Sequence, residues 1–253
     1  MSKINIKTKE EIEIMQEGGR ILAKVLREVL ENIKVGVTEL EIDKLAEKLI
    51  LKHGGEPGFK KVPGYNFSIC VSTNDVVVHG IPTDYKFKDG DVVGIDCGVF
   101  YKGFHTDMAD TIIVGKSESS KVDKFLETGR RALNSGIKTA KAGKRVGDIS
   151  KTIQTIVEGD GYSVVKSLVG HGVGKELHED PEVPGYLAEK LEKTPILKNG
   201  MTIAVEVIYN MGKDEVMYGE GDGWTISTGD GTLSGLFERS IAITQNGPQV
   251  LTK

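Results

Sequence analysis

The stretch Lys88-Asp89-Gly90-Asp91-Val92-Val93-Gly94-Ile95-Asp96 is matched in pattern by Lys198-Asn199-Gly200-Met201-Thr202-Ile203-Ala204-Val205-Glu206. Both run Lys-x-Gly-x-x-apolar-x-apolar-acid, so a strand ends on a carboxylate in each half of the chain. The match extends outward. Val78-His79-Gly80 upstream is echoed by Gly170-His171-Gly172, and Asp107 precedes Thr111-Ile112-Ile113 much as Glu238 precedes Ile241-Ala242-Ile243. Internal similarity over such distances is a statement about architecture. No flexible linker separates the copies. The expectation is one domain of two pseudo-symmetric halves, about 1–118 and 119–253, packed on a shared core.

Around the repeated strands the chain reads as two helices, strands, two helices and strands again. Thr8 to Ile33 carries apolar residues near a helical period, with acidic side chains early. A second helix begins at Thr38-Glu39-Leu40-Glu41, a capping box, and ends at Gly54-Gly55. Then come β-branched runs at Ile69-Cys70-Val71, Val76-Val77-Val78, Val92 to Ile95 and Thr111 to Val114. Ser119 to Ala142 and Val146 to Glu158 return to helical patterning, closed by Gly143 and Gly161, before Ser163-Val164-Val165 resumes the sheet.

Composition excludes several classes. The 253 residues are 38% apolar and 28% charged, enough to bury a core. With 33 basic and 37 acidic side chains interspersed and a net charge of −4, no basic field exists for direct nucleic-acid recognition or binding to anionic lipid. Two cysteines do not make a disulfide framework, the N-terminal residues carry no apolar signal core, and no apolar run is long enough for a membrane span. These features point to a cytoplasmic protein without a membrane. The 32 glycines, nearly twice ordinary usage, imply many tight turns or close backbone approaches.

The acids are the chemical signal. Asp96 and Asp107 lie symmetrically about a hairpin centred between Tyr101 and Lys102, which would set them on facing positions. Glu206 and Glu238 lie symmetrically about Asp222 in the turn-rich Gly219-Glu220-Gly221-Asp222-Gly223. A lone acid at a strand end is ordinarily a turn residue. Four acids interrupting apolar strands at matched places are costly to bury without partners, and like charges in one site cannot all ionise unless cations neutralise them. With His171 added, the donor set is mostly oxygen plus one nitrogen, suited to Mn, Fe, Co or Zn. Because carboxylates can bridge, it has room for two ions.

Val78-His79-Gly80-Ile81-Pro82, Ile95-Asp96-Cys97-Gly98-Val99, Gly103-Phe104-His105-Thr106-Asp107, Gly170-His171-Gly172-Val173-Gly174 and Leu177-His178-Glu179-Asp180-Pro181 together resemble the methionine aminopeptidases. Thr202 to Glu206, Gly223-Trp224-Thr225 and Phe237-Glu238 follow in that family's order, so the resemblance covers essentially the whole chain. Only 28 positions separate His178 from Glu206, which excludes the helical insertion of type 2 enzymes there and points to type 1. Relatives that cut before proline carry a large N-terminal domain, for which two helices before the first strand leave no space.

The resemblance implies the α/β (α+β) pita-bread fold, a pseudo-twofold antiparallel sheet core with helices on its outer face. It implies that Asp96, Asp107, His171, Glu206 and Glu238 hold two divalent metal ions per chain (Co, Mn, Fe or Zn). Asp107 and Glu238 would bridge, Asp96 would complete one ion, and His171 with Glu206 the other. His178 would donate to the developing oxyanion and His79 would contact the amide nitrogen beyond the scissile bond. Glu206 would carry a proton from attacking water to the leaving amine, while the substrate's free α-amino group bound a metal. Phe59, Tyr65, Cys70, Leu177 and Trp224 would line the methionine pocket, the alternative for such apolar residues being ordinary core. His53 and His105 stay unassigned.

The implied activity is removal of the initiator methionine from nascent polypeptide N-termini with a small second residue, by a monomer in transient association with the ribosome. The alternatives are an inactive adaptor on the same fold, against which the complete ligand set argues, and a dinuclear X-Pro exopeptidase. Leu177 where phenylalanine is usual, Leu236 where glutamine is common, Thr106 in place of glycine, and an unusual 210–227 loop bear on pocket width.

Overall fold

A computed structural model describes residues 4–117, 119–219 and 221–253. In chain order come helices α1 (Lys9–Asn32) and α2 (Glu39–Lys52), then strands β1 (Glu56–Pro57), β2 (Ile69–Thr73), β3 (Val76–Val78), β4 (Val92–Tyr101) and β5 (Phe104–Ile113). Helices α3 (Ser120–Thr139) and α4 (Val146–Gly159) open the second half. They are followed by β6 (Ser163–Val164), β7 (Gly170–Gly172), β8 (Glu179–Val183), β9 (Thr202–Asn210), β10 (Val216–Tyr218), β11 (Ile226–Thr228), β12 (Ser234–Thr244) and β13 (Gly247–Val250). This is the pita-bread architecture expected from the sequence.

Both early helices start as the sequence reads. Thr8 Oγ1 accepts from the Glu11 N–H while the Glu11 carboxylate accepts from the Thr8 N–H, and Thr38 and Glu41 repeat the exchange. Among the described residues the main sheet runs β1-β4-β5-β12-β9-β7-β8, all antiparallel, with β2, β6 and β13 pairing β4, β9 and β12. A smaller sheet, β10-β11-β3, stands beside it.

Strand alternation sorts core from site. Val93, Ile95, Cys97 and Val99 of β4 pack with Leu22, Val25 and Leu26 of α1, whereas Ile203, Val205, Val207 and Tyr209 of β9 pack with Phe125 and Leu133 of α3. The helices therefore cover one face. On the other face, in register, lie Asp96, Asp107, Glu206 and Glu238. Tyr209 shows how tightly the covered face is built: it is fully buried, its hydroxyl donates to the Phe125 carbonyl, and the two rings stand 4.4 Å apart.

One expected register needs correction. Tyr101 pairs with Phe104, so the β4–β5 turn is Lys102-Gly103 and its centre lies one residue later than the sequence suggested. Both turn residues have positive φ, 47° and 89°, the twist that suits a two-residue hairpin. Asp96 consequently faces Ala109 and Asp107 faces Gly98, making the two acids diagonal rather than opposite neighbours. Glu206 and Glu238 do face one another. Their connection contains β10 and β11, and Glu220, within the loop where it was expected to centre, lies outside the described residues. No helix among the described residues is long and apolar enough to cross a membrane.

Candidate metal centre and substrate cavity

Register places three acids in one row across four strands. Asp96 on β4 faces Ala109 on β5, Ala109 faces Glu238 on β12, and Glu238 faces Glu206 on β9. The fully buried Ala109 contributes only a methyl, leaving the space above the row to its neighbours. Asp107 sits two positions along β5 on the same face. His171 arrives from β7, whose Gly172 pairs with Ile203. Its flanking glycines have a steric cause: a Cβ on Gly170 would meet the Ala204 carbonyl oxygen at 2.5 Å, and one on Gly172 would run into Asp180. Only glycine lets β7 approach both neighbours.

Ligand atoms of Asp107, His171 and Glu238 lie within 4.8 Å of one another, and His171 Nε2 is 3.5 Å from Glu206 Oε1. The His171 Nδ1–H donates to the Gly172 carbonyl at 2.8 Å, leaving the Nε2 lone pair directed at the carboxylates. Asp96 Oδ1 and Glu238 Oε1 are buried without a hydrogen-bond partner among the described residues. Carboxylate oxygens crowded against a neutral imidazole, two of them reached by no donor among the described residues, fit divalent cations, which would compensate them when the carboxyls are ionised.

Burial pushes the Asp96 carboxyl up to about 7 and raises Asp107, Glu206 and Glu238 well above the carboxylate range, with the other acids adding to the last three. Asp96 and Glu206 keep an edge open to the cavity, yet protein surrounds most of each. Burial drives His171 down to about 3, so it is neutral and ready to ligate at any ordinary pH. A metal must therefore displace protons from the carboxyls and none from His171. Apparent affinity for Mn(II) is expected to rise between pH 6 and pH 8, with proton release visible as a buffer-dependent calorimetric enthalpy. Equal affinity at both pH values would contradict this charge pattern.

A cavity of about 180 Å³ opens above the acids. Every residue assigned a site role from the sequence lines it: the four acids with His171, His79 and His178, and Phe59, Tyr65, Cys70, Leu177 and Trp224. The last five also form an apolar cluster of their own. The Tyr65 ring meets Trp224 edge-on at 5.1 Å and Phe59 at 6.2 Å, and its hydroxyl donates to the Ile69 carbonyl at 2.7 Å while lying 3.1 Å from Cys70 Sγ. Burial raises the Cys70 thiol well above its ordinary value, which makes it an inert wall rather than a nucleophile. Val62, Leu168 and Ile208 line the cavity too. No sequence signal marks them, because an apolar residue in a strand or loop reads as core.

The two histidines reach the cavity by different routes. His79 follows β3 with φ 56°, a conformation that non-glycine residues adopt at a cost. The His178 ring lies 4.4 Å from His171, edge-on at 71°. Burial lowers the pKa of both, and His178 adds to the effect on His79, so each is a neutral donor or acceptor. The loop carrying Leu177 and His178 is held from far away in sequence. Lys7 and Asn5 both donate to Glu179 Oε2, and the Lys7–Glu179 side chains are 4% exposed. The Lys7 N–H also donates to the Gly200 carbonyl at 2.8 Å, and the His105 N–H to the Gly174 carbonyl at 2.7 Å. His105 is buried beside this loop, its ring 4.8 Å from that of Phe100 and tilted by 57°, whereas His53 caps the end of α2 near Glu28.

Comparison with known proteins gives a consistent family. The model of metallopeptidase family M24 matches residues 13–244. Methionine aminopeptidase 1 of Bacillus subtilis is 44% identical over 248 residues, 98% of each chain, and a methionine aminopeptidase of Clostridium perfringens is 43% identical with the same coverage. The crystal structure of methionine aminopeptidase from Thermotoga maritima superposes with a TM-score of 0.95 at 42% identity, covering 99% of this chain and 100% of that one.

Proposed function

The chain belongs to metallopeptidase family M24, and we propose that its row of buried acids, with His171, holds two divalent ions that serve hydrolysis of an N-terminal methionine. It is a metal-dependent exopeptidase of the methionine aminopeptidase kind. The observation that carries the proposal for the site is the pair of buried oxygens Asp96 Oδ1 and Glu238 Oε1, partnerless among the described residues, beside His171 and Glu206. The ions, when bound, supply Lewis acidity and lower the pKa of bound water toward neutrality.

The chain's own groups do the rest. Glu206 accepts a proton from the attacking water and delivers it to the leaving amine. His178, neutral and a ring's width from His171, donates to the carbonyl oxygen as negative charge grows on it, an interaction stronger in the transition state than before it. His79 contacts the amide nitrogen beyond the bond being cut. The Phe59–Tyr65–Cys70–Leu177–Trp224 basin seats the methionine side chain, where a thioether gains from meeting aromatic rings.

The substrate reading extends to nascent chains whose second residue is small, met at the ribosome in the cytoplasm by a monomer. A Met-X-Met tripeptide series tests it. Glycine, alanine or serine at X is expected to be cleaved with kcat/KM at least about 100-fold above lysine or leucine, one well-placed steric clash being worth a few kcal/mol. Equal cleavage across the series would refute the size restriction, and preference for proline at X would favour the X-Pro exopeptidase reading.

A further inference from the structure

Strands β5 and β12 join the two halves of the molecule, and their pairing is unlike that of their neighbours. Ten facing pairs link β4 to β5 and nine link β12 to β9, but only Glu238–Ala109 and Arg239–Met108 link β12 to β5. Beyond these pairs, side-chain hydroxyls stand where main-chain bonds would be. The Asp107 N–H donates to Ser240 Oγ at 2.8 Å, and the same hydroxyl donates to the Asp107 carbonyl at 2.8 Å. On the other side the Leu236 N–H donates to Thr111 Oγ1 at 3.0 Å, and that hydroxyl donates to the Leu236 carbonyl at 2.7 Å.

The arrangement is twofold. Ser240 lies two residues after Glu238, and Thr111 two residues after Ala109, the residue that Glu238 faces. Both hydroxyls are buried. The Ser240 main chain is taken up by the C-terminal segment instead of by β5, its N–H donating to Thr252 Oγ1 at 3.2 Å and its carbonyl accepting from the Leu251 N–H at 2.9 Å. From the helix-covered face Arg239 closes the narrow centre: Nη1 donates to the Ala109 and Glu238 carbonyls at 3.0 and 2.6 Å, and Nη2 to Asp110 at 2.8 Å. The seam is thus pinched at Glu238–Ala109 and propped open at either end.

We propose that Ser240 is a positioning residue of the metal centre, its inserted hydroxyl setting where Asp107 presents its carboxylate relative to Glu238. The inference rests on reading Asp107 and Glu238 as ligands. Both main-chain polar groups of Asp107 on the β12 side hang from one oxygen. Removing that oxygen either leaves them buried and unpaired or lets the strands close, and each outcome moves the carboxylate. Thr111 is the internal control, because its hydroxyl makes the same two bonds to Leu236, which carries no ligand group.

The test compares Mn(II) binding and metal-free unfolding for the wild type and for Ser240→Ala, Thr111→Val and Asp107→Asn. Ser240→Ala is expected to weaken Mn(II) affinity at least tenfold. Thr111→Val is expected to destabilise the metal-free protein as much as Ser240→Ala does while changing affinity less than threefold. Wild-type affinity in Ser240→Ala, or equal affinity losses in Ser240→Ala and Thr111→Val, would overturn the inference by reducing the hydroxyls to ordinary packing. Should Ser240→Ala fail to fold, Ser240→Cys, similar in volume with a weaker donor, carries the same comparison with the same outcomes. If Asp107→Asn binds Mn(II) as the wild type does, the ligand reading itself has failed; if it loses binding and Ser240→Ala does not, only the role of Ser240 has.

Discussion

Protein stripped by a chelator is expected to hydrolyse Met-Gly-Met at least about a thousandfold more slowly than the loaded enzyme, and to recover on addition of Mn(II), Co(II) or Fe(II). The Lewis-acid contribution is several kcal/mol, and each 1.36 kcal/mol is tenfold in rate. The stripped protein should also respond to pH with a defined sign. Asp96, raised by burial to about 7, and Asp107, Glu206 and Glu238, raised further, bind protons more tightly folded than unfolded. Their stabilisation is complete below the ordinary carboxylate range of about 4 and disappears as pH rises through about 7 and beyond.

The buried histidines act in the opposite sense. His171 at about 3 and His105 at about 4 bind protons less tightly folded, so their contribution is present above about 6.5 and lost as pH falls toward those values. The melting temperature of stripped protein should therefore drop from pH 7 to pH 9, and bound metal should flatten that drop. Restored stability without restored hydrolysis would separate metal binding from catalysis and bring the adaptor alternative forward. A melting temperature indifferent to both metal and pH would mean that the acids do not share a site.

Glu206→Gln carries the second large effect. The amide keeps the shape and one ligand oxygen but cannot take a proton, so kcat should fall by about 10³, within the range for loss of a positioned general base. Its effect on stability should run the other way. Glu206 raises the pKa of both Asp107 and Glu238, so removing its charge relieves the stripped protein of repulsion and should raise its melting temperature at pH 8. Loss of activity with gain of metal-free stability is a signature that a merely structural glutamate cannot give. His178→Ala differs in kind: kcat should fall by about 10²–10³ with Mn(II) affinity unchanged, as for loss of an oxyanion donor. Near-normal turnover in Glu206→Gln would remove it as proton carrier.

Much of this was legible in the sequence for a physical reason. A strand's period of two puts a residue next to core-facing neighbours on the opposite face, so the matched positions of Asp96 after Ile95 and Glu206 after Val205 already implied convergence. Thr8 and Thr38 announced their helices because capping is local. What failed to show was set by turn geometry or by distance. Lys102-Gly103 is not a dipeptide that advertises a two-residue hairpin, so the β4–β5 centre was misplaced by one residue and Asp107 with it. The Lys7–Glu179 pair joins residues 172 positions apart, and the hydroxyls of Thr111 and Ser240 act across the join of the halves. A serine or threonine in a strand carries no mark of such a task.

The tether from Lys7 to Glu179 and Gly200 also bears on the order in which the molecule is assembled. Asn5 and Lys7 are synthesised early, yet Glu179 follows Lys7 only 172 positions later and Gly200 later still. The β4–β5 hairpin can close early and locally, whereas the loop bearing His178 can be anchored only after both halves exist. Closing so long a loop costs little more free energy than closing a short one, since the entropy grows only with the logarithm of length. The delay falls on rate instead, because contacts between remote positions are the slow ones to form. A translating chain therefore passes through a stage in which half the acids are paired and hydrolysis is still out of reach.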